Sequence, residues 1–154
     1  MFSNELVCDI ITYINTNIND EITIDSLSNK FYFNRTYIMK RFKKELGISI
    51  VNYINILRIY NSLKYLKEDK KILEIALLNG FNSQEYYTEI FRNVIGVNPL
   101  KYKKYINYIT KIDDKSINII ESNIISIESI LNNIDKYMNN RKPTITVKKL
   151  SLFK

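Results

Sequence analysis

Apolar positions recur every three to four residues through most of this chain. Over residues 4–18 Leu6, Val7, Ile10, Ile11, Ile14 and Ile18 take that spacing, which predicts an amphipathic helix. Thr23 reads as an N-cap, standing just before a short helix that carries Ile24, Leu27 and Phe31. Asn34 opens the next helix, whose inner face holds Tyr37, Ile38, Phe42 and, in part, Arg41. Gly47 ends it as a left-handed C-cap residue does. Ser49 then caps a long helix through Tyr53, Ile54, Leu57, Leu63 and Leu66, and a charged stretch at 67–71 closes this half.

The same order of elements restarts beyond that stretch. A short helix over about 71–79 leads into a turn at Gly80, Phe81 and Asn82, then a helix to about Ile95, then Gly96. Asn98 and Pro99 follow as cap and first helical residue, where a missing N–H costs nothing. Residue by residue this is an internal repeat. At an offset of 48, Leu27 matches Ile75, Ser28 matches Ala76, Tyr32 matches Gly80 and Phe33 matches Phe81. At an offset of 49, Tyr37 matches Tyr86, Ile38 Tyr87, Phe42 Phe91, Lys43 Arg92, Gly47 Gly96, Ser49 Asn98 and Tyr53 Tyr102. The extra residue falls in a turn, where an insertion costs least. Two helices joined by a turn of about four residues, with small residues at 28 and 76 and apolar plugs at 33 and 81, make the helix-turn-helix plan.

Composition narrows the partners. The chain has 154 residues, 45% of them hydrophobic, which is enough for a packed core. Gly (3) and Pro (2) are scarce, which favours long helices over a loop-rich β architecture. A net charge of +7 suits a polyanion. The absence of His and the single Cys8 remove imidazole catalysis and an internal disulfide framework, and suit a reducing cytoplasm. Glu5 and Asp9 interrupt the one early apolar run, so no signal pattern is visible, and no apolar stretch nears the ~20 residues of a membrane span.

The strongest motif is Ile75-Ala76-x-x-x-Gly80-Phe81, followed by Tyr86-Tyr87, Phe91-Arg92, Gly96, Pro99 and Tyr102-Lys103. With Tyr37-Ile38, Phe42-Lys43-Lys44, Gly47-x-Ser49, Tyr53 and Arg58 in the first half, residues from about Asn4 to Tyr105 resemble the DNA-binding domain of the AraC/XylS family. The resemblance implies an all-α fold of two tandem helix-turn-helix subdomains joined by a long helix. On this reading residues 1–109 form the DNA-binding domain, with the first unit at about 23–46 and the second at about 71–95. It further implies a bacterial, cytoplasmic transcription regulator, activator or repressor, with no cofactor, no metal and no enzymatic activity. Two departures stand out: Tyr32 where the family usually has Gly, and Glu89 where it usually has a basic residue. The alkyl-transferring relatives use a reactive cysteine in a separate domain, whereas Cys8 lies on the inner side of the first helix.

Removing core positions from each second helix leaves its outward stripe. In the first unit this is Arg35, Thr36, Met39, Lys40 and Lys43. Cations there can donate to guanine or phosphate, and Thr36 and Met39 can meet a thymine methyl. In the second unit the stripe is Gln84, Glu85, Thr88, Glu89 and Arg92. Gln84 can pair with adenine and Glu85 can accept from cytosine N4. Asn34, Ser83 and the amides at both helix starts are candidates for phosphate contact, as are Lys101, Lys103 and Lys104. Two acids against one cation make the second stripe a poor attractor of phosphate. If both units engage one face of a duplex, their helices enter grooves about 34 Å apart.

Residues 110–154 extend past the resemblance. Ile117, Ile120, Ile124, Ile127, Leu131, Ile134 and Met138 alternate three and four apart within a helix at 113–140, the seam of a coiled coil. Ile119, Ile125 and Ile130 widen it, so packing on another domain competes with self-association. Residues 144–150 read as a short terminal strand, pairing with a symmetry mate or opening an effector domain. The expected partners are therefore double-stranded DNA, RNA polymerase and a second copy through the seam, and no membrane. The rival reading is an assembly module that acts through the 113–140 helix without DNA.

Overall fold

A computed structural model describes residues 3–108 and 111–141. The elements among them are α1 (Ser3–Thr16), α2 (Ile24–Phe31), α3 (Arg35–Leu46), α4 (Ile50–Ser62), a 3-10 turn (Leu63–Lys67), α5 (Ile72–Leu78), α6 (Gln84–Ile95), α7 (Pro99–Asn107) and α8 (Asp114–Arg141). The expected order of helices is present, and no strand occurs among the described residues. The strand expected at 144–150 lies outside them.

Local chemistry sets the helix ends. Thr23 Oγ1 accepts from Ser26 N at 2.9 Å while Thr23 N donates to Ser26 Oγ at 3.0 Å, a reciprocal capping box. Asn34 Oδ1 accepts from Thr36 N at 2.8 Å, Ser49 Oγ from Asn52 N at 3.1 Å, Ser83 Oγ from Tyr86 N at 3.1 Å and Asn98 Oδ1 from Lys101 N at 2.8 Å. Gly47 and Gly96 close α3 and α6 at φ 74° and 95°. The long helix after Ser49 stops earlier than its apolar pattern: Ser62 turns its hydroxyl back to Ile59 O at 2.7 Å, and the chain continues as the 3-10 turn.

The described residues divide into two compact units, 3–54 with 129–141, and 55–108 with 111–128. The first unit is built on α1, whose Leu6, Val7, Cys8, Ile10, Ile11 and Ile14 are buried. Both α1 and α2 pack on α3. Leu27, Ile38 and Phe42 complete the core, and the Phe42 and Tyr53 ring centroids stand 5.9 Å apart. Tyr53 donates its hydroxyl to Asn15 Oδ1. In the second unit an aromatic file runs from Phe81 to Tyr87 (5.2 Å), Phe91 (5.6 Å) and Tyr102 (5.7 Å). Buried Ser62 shares a 2.9 Å hydrogen bond with the Tyr87 hydroxyl, and Asn107 Nδ2 donates to Leu66 O at 3.0 Å.

The seam of α8 is occupied within the chain itself. Leu131, Ile134, Tyr137 and Met138 are buried in the first unit, Ile120 and Ile127 in the second. Ile117 and Ile124 are half-buried, and only Ile125, at 67% exposure, stands clearly out. The self-association expected through this seam is thus not available to most of its residues. Its wide apolar face reflects packing against the chain's own helices. No helix among the described residues is long and apolar enough to cross a membrane.

Tyr37 and Tyr86 correct the expected core. They are 40% and 43% exposed and lie against the turn plugs instead: Phe33 and Tyr37 stack with centroids 5.3 Å apart, and Phe81 and Tyr86 meet at a tilt of 56° with centroids 5.9 Å apart. Tyr32 ends α2 at φ 61°, where its repeat partner is Gly80 at φ 85°. The L side chain at a left-handed position costs about 1–2 kcal/mol, and Tyr32, 91% exposed, has little packing to offset it. Tyr32→Gly relieves that strain against about 0.4–1 kcal/mol of added unfolded-chain entropy. A small rise in melting temperature is expected, and a fall would contradict it.

Burial pushes the Tyr87 and Tyr102 phenols up to about 12 from an ordinary 10.0. Between those values the unfolded chain releases protons that the folded chain retains, so stability falls as pH rises from 10 towards 12. Tyrosinate absorbance followed with far-ultraviolet dichroism should show this ionisation arriving together with unfolding. Full ionisation at pH 10 in a folded chain would contradict it.

Candidate nucleic-acid interface

Each recognition helix is fixed by two large inward residues, Ile38 and Phe42 on α3 and Tyr87 and Phe91 on α6, all fully buried. At 3.6 residues per turn, the opposite face must then point outwards. On α3, Arg35, Thr36, Met39, Lys40 and Lys43 are exposed, as the sequence predicts. Their charges are not equivalent. Arg35 Nε lies 3.1 Å from Asp25 Oδ1 in an exposed ion pair, and Arg41 Nη2 lies 2.6 Å from Glu45 Oε1 in a half-buried one. Lys40, Lys43 and Lys44 form no ion pair among the described residues.

These three lysines share one shallow depression with Ile24, Met39, Ser49, Ile50 and Val51. The first unit therefore offers a cationic rim around an apolar floor. Sequence reasoning counted Lys44 among the cations of this helix but left it off the outward stripe, and it missed Ile24 and Val51 as parts of this surface. Val51, two residues after the Ser49 cap and 49% exposed, was the available signal: an apolar residue on an open first turn.

On α6, Gln84, Glu85, Glu89 and Arg92 are exposed and Thr88 is half-buried. All five line one depression together with Asn93, which the sequence pattern did not single out. Glu85, Glu89 and Arg92 form no ion pair among the described residues. Ser83 is half-buried, its oxygen holding the Tyr86 amide as the helix cap. Lys101 and Lys103 are less free than a bare basic face: Lys101 Nζ is 3.4 Å from Asp113 Oδ1, and Lys103 Nζ donates to Lys70 O at 3.3 Å. Cys8 is buried, and no group of His, Cys, Asp and Glu able to hold a metal occurs among the described residues.

Comparison with known proteins agrees with this geometry. A family profile described as a helix-turn-helix domain matches residues 27–105. The chain is 31% identical over 105 residues to the probable transcription factor PqrA of Proteus vulgaris, covering 66% of this chain and 86% of that protein. It is 30% identical over 95 residues to the multiple antibiotic resistance protein MarA of Salmonella typhimurium, covering 61% and 75%. Among solved structures, the DNA-binding domain of AdpA in complex with a target DNA has the same fold, with a TM-score of 0.61 at 18% identity over 66% of this chain and 93% of that one. The repeated helix-turn-helix, its two glycine-capped recognition helices and these matches together show that the chain belongs to the AraC/XylS family of helix-turn-helix proteins.

Proposed function

We propose that this chain is a sequence-specific DNA-binding transcription regulator that lays α3 and α6 into successive segments of the major groove, with unequal roles. The observation that carries the reading is the charge on the two outward stripes. Lys40, Lys43 and Lys44, in no ion pair among the described residues, stand beside the apolar floor of the first unit, and each phosphate they neutralise releases counterion and strengthens binding at low salt. Arg35, Thr36 and Met39 complete that reader. The second stripe carries Glu85 and Glu89 against Arg92, so it gains little from phosphate attraction. Its value lies in base edges: Gln84 to adenine, Glu85 to cytosine N4, Thr88 to a methyl or phosphate, and Arg92 to guanine or phosphate. Ser83 retains its hydroxyl proton for a phosphate while its oxygen caps the helix.

Such a chain works in the bacterial cytoplasm, and it acts either by occluding a promoter or by touching RNA polymerase. The rival reading, assembly through α8 without DNA, is disfavoured because Ile120, Ile127, Leu131, Ile134 and Met138 are already buried. The alkyl-transfer chemistry of some relatives is disfavoured too, since Cys8 is closed inside α1's packing.

The test is a gel-shift titration against salt on a duplex selected from a random pool. Lys40→Ala should weaken binding roughly 5- to 10-fold and lower the salt slope by about one. Glu89→Ala should leave affinity unchanged or tighten it. Greater damage from Glu89→Ala than from Lys40→Ala would defeat the unequal-reader assignment, and no binding to any duplex would defeat the DNA reading.

A further inference from the structure

The two recognition helices end on the same backbone device but meet different surroundings. At the end of α3, a Cβ placed on Gly47 would have nothing within 4 Å. At the end of α6, a Cβ on Gly96 would stand 2.3 Å from Ile119 Cγ2 and 2.8 Å from Asn123 Nδ2, both on α8. Asn123 Nδ2 also donates to Ile95 O at 2.8 Å, taking one of the carbonyls that a helix C-terminus leaves open. The same stretch of α8 is anchored on both sides. Tyr105 donates to Glu121 at 3.2 Å, Tyr60 donates to Glu128 at 3.0 Å, and Ile120 and Ile127 enter the core of this unit.

We infer that α8 is a positioning element of the second reader, with Ile119 and Asn123 fixing the C-terminal end of α6 and so the placement of Gln84, Glu85, Thr88 and Arg92. The inference rests on the DNA-reading role proposed for α6. A twelve-residue helix is a lever about 18 Å long, so a tilt of about 5° at its held end displaces its groove end by about 1.5 Å, beyond the ~0.5 Å within which a binding constellation works. The α3 reader has Lys40, Lys43 and Lys44, in no ion pair among the described residues, to draw it onto phosphates. The α6 reader, with two acids and one cation, has no such pull and depends on being held.

The repeat supplies its own control. Gly47→Ala and Gly96→Ala impose the same left-handed penalty, but only Gly96→Ala drives a methyl into α8. The full chain and its Gly47→Ala, Gly96→Ala, Gly96→Ala/Ile119→Ala and Asn123→Ala variants are compared on the selected duplex and on its single-base-pair substitutions. Melting temperatures and salt slopes are measured alongside. In Gly96→Ala and Asn123→Ala, discrimination at base pairs of the second segment should drop roughly 5- to 10-fold. First-segment discrimination and the salt slope should be unchanged. Gly47→Ala should leave second-segment discrimination intact, and Ile119→Ala should return part of what Gly96→Ala loses. Lower melting temperatures with wild-type discrimination at every base pair would overturn the inference, leaving α8 a purely stabilising helix. Should Gly96→Ala not fold, Asn123→Ala carries the same two outcomes. If the unaltered chain discriminates no base pair in a second segment, the underlying role of α6 fails, and this inference with it.

Discussion

Neither recognition helix can stand alone, because a twelve-residue helix is marginal in water until one face is buried. α1 and α2 pack on α3, and α5 and α7 pack on α6, so that each buries one face. Phe42 closes the core that α1 and α2 build with α3, and Phe91 sits in the file that joins Phe81, Tyr87 and Tyr102. Losing either ring would cost about 3–5 kcal/mol, a large share of the stability of an ordinary domain. Once these inward residues are fixed, helical geometry alone decides which residues face outwards. The reading surface follows from the packing.

That shared scaffold carries two different chemistries. The first reader concentrates three lysines beside an apolar floor, while the second presents a polar stripe with both signs of charge. A surface with little electrostatic pull contributes to binding mainly when its groups meet partners of matching geometry. The burden on positioning is therefore greater at α6. It is at α6 that the exit of the helix is enclosed by α8, whereas the equivalent glycine after α3 is open. Charge and support vary in opposite senses between the two repeats.

Much of this was legible in the sequence because its signals are local. Thr23, Asn34, Ser49 and Asn98 cap helices through bonds to residues two or three further on, so their neighbours suffice to place them. Gly47 and Gly96 announce left-handed exits for the same reason. What the sequence left open depends on contacts between distant residues. Tyr37 and Tyr86 fall at helical spacing for the core, yet they lean on the turn plugs Phe33 and Phe81. Arg35 belongs to the outward stripe, but its pairing with Asp25 requires the angle between α2 and α3. The apolar period of α8 was plain, but a period cannot say what covers the face. The cover proved to be the chain itself.

The central claim is that both helices read DNA, one driven by charge and the other by fit. Hydroxyl-radical footprinting of the full chain on a selected duplex, repeated at low and moderate salt, tests it most directly. Two protected segments about one helical turn apart on one face of the duplex are expected. The Gln84→Ala/Glu85→Ala double variant should lose protection in one segment while keeping the other. A single protected segment that this variant leaves unchanged would contradict the account.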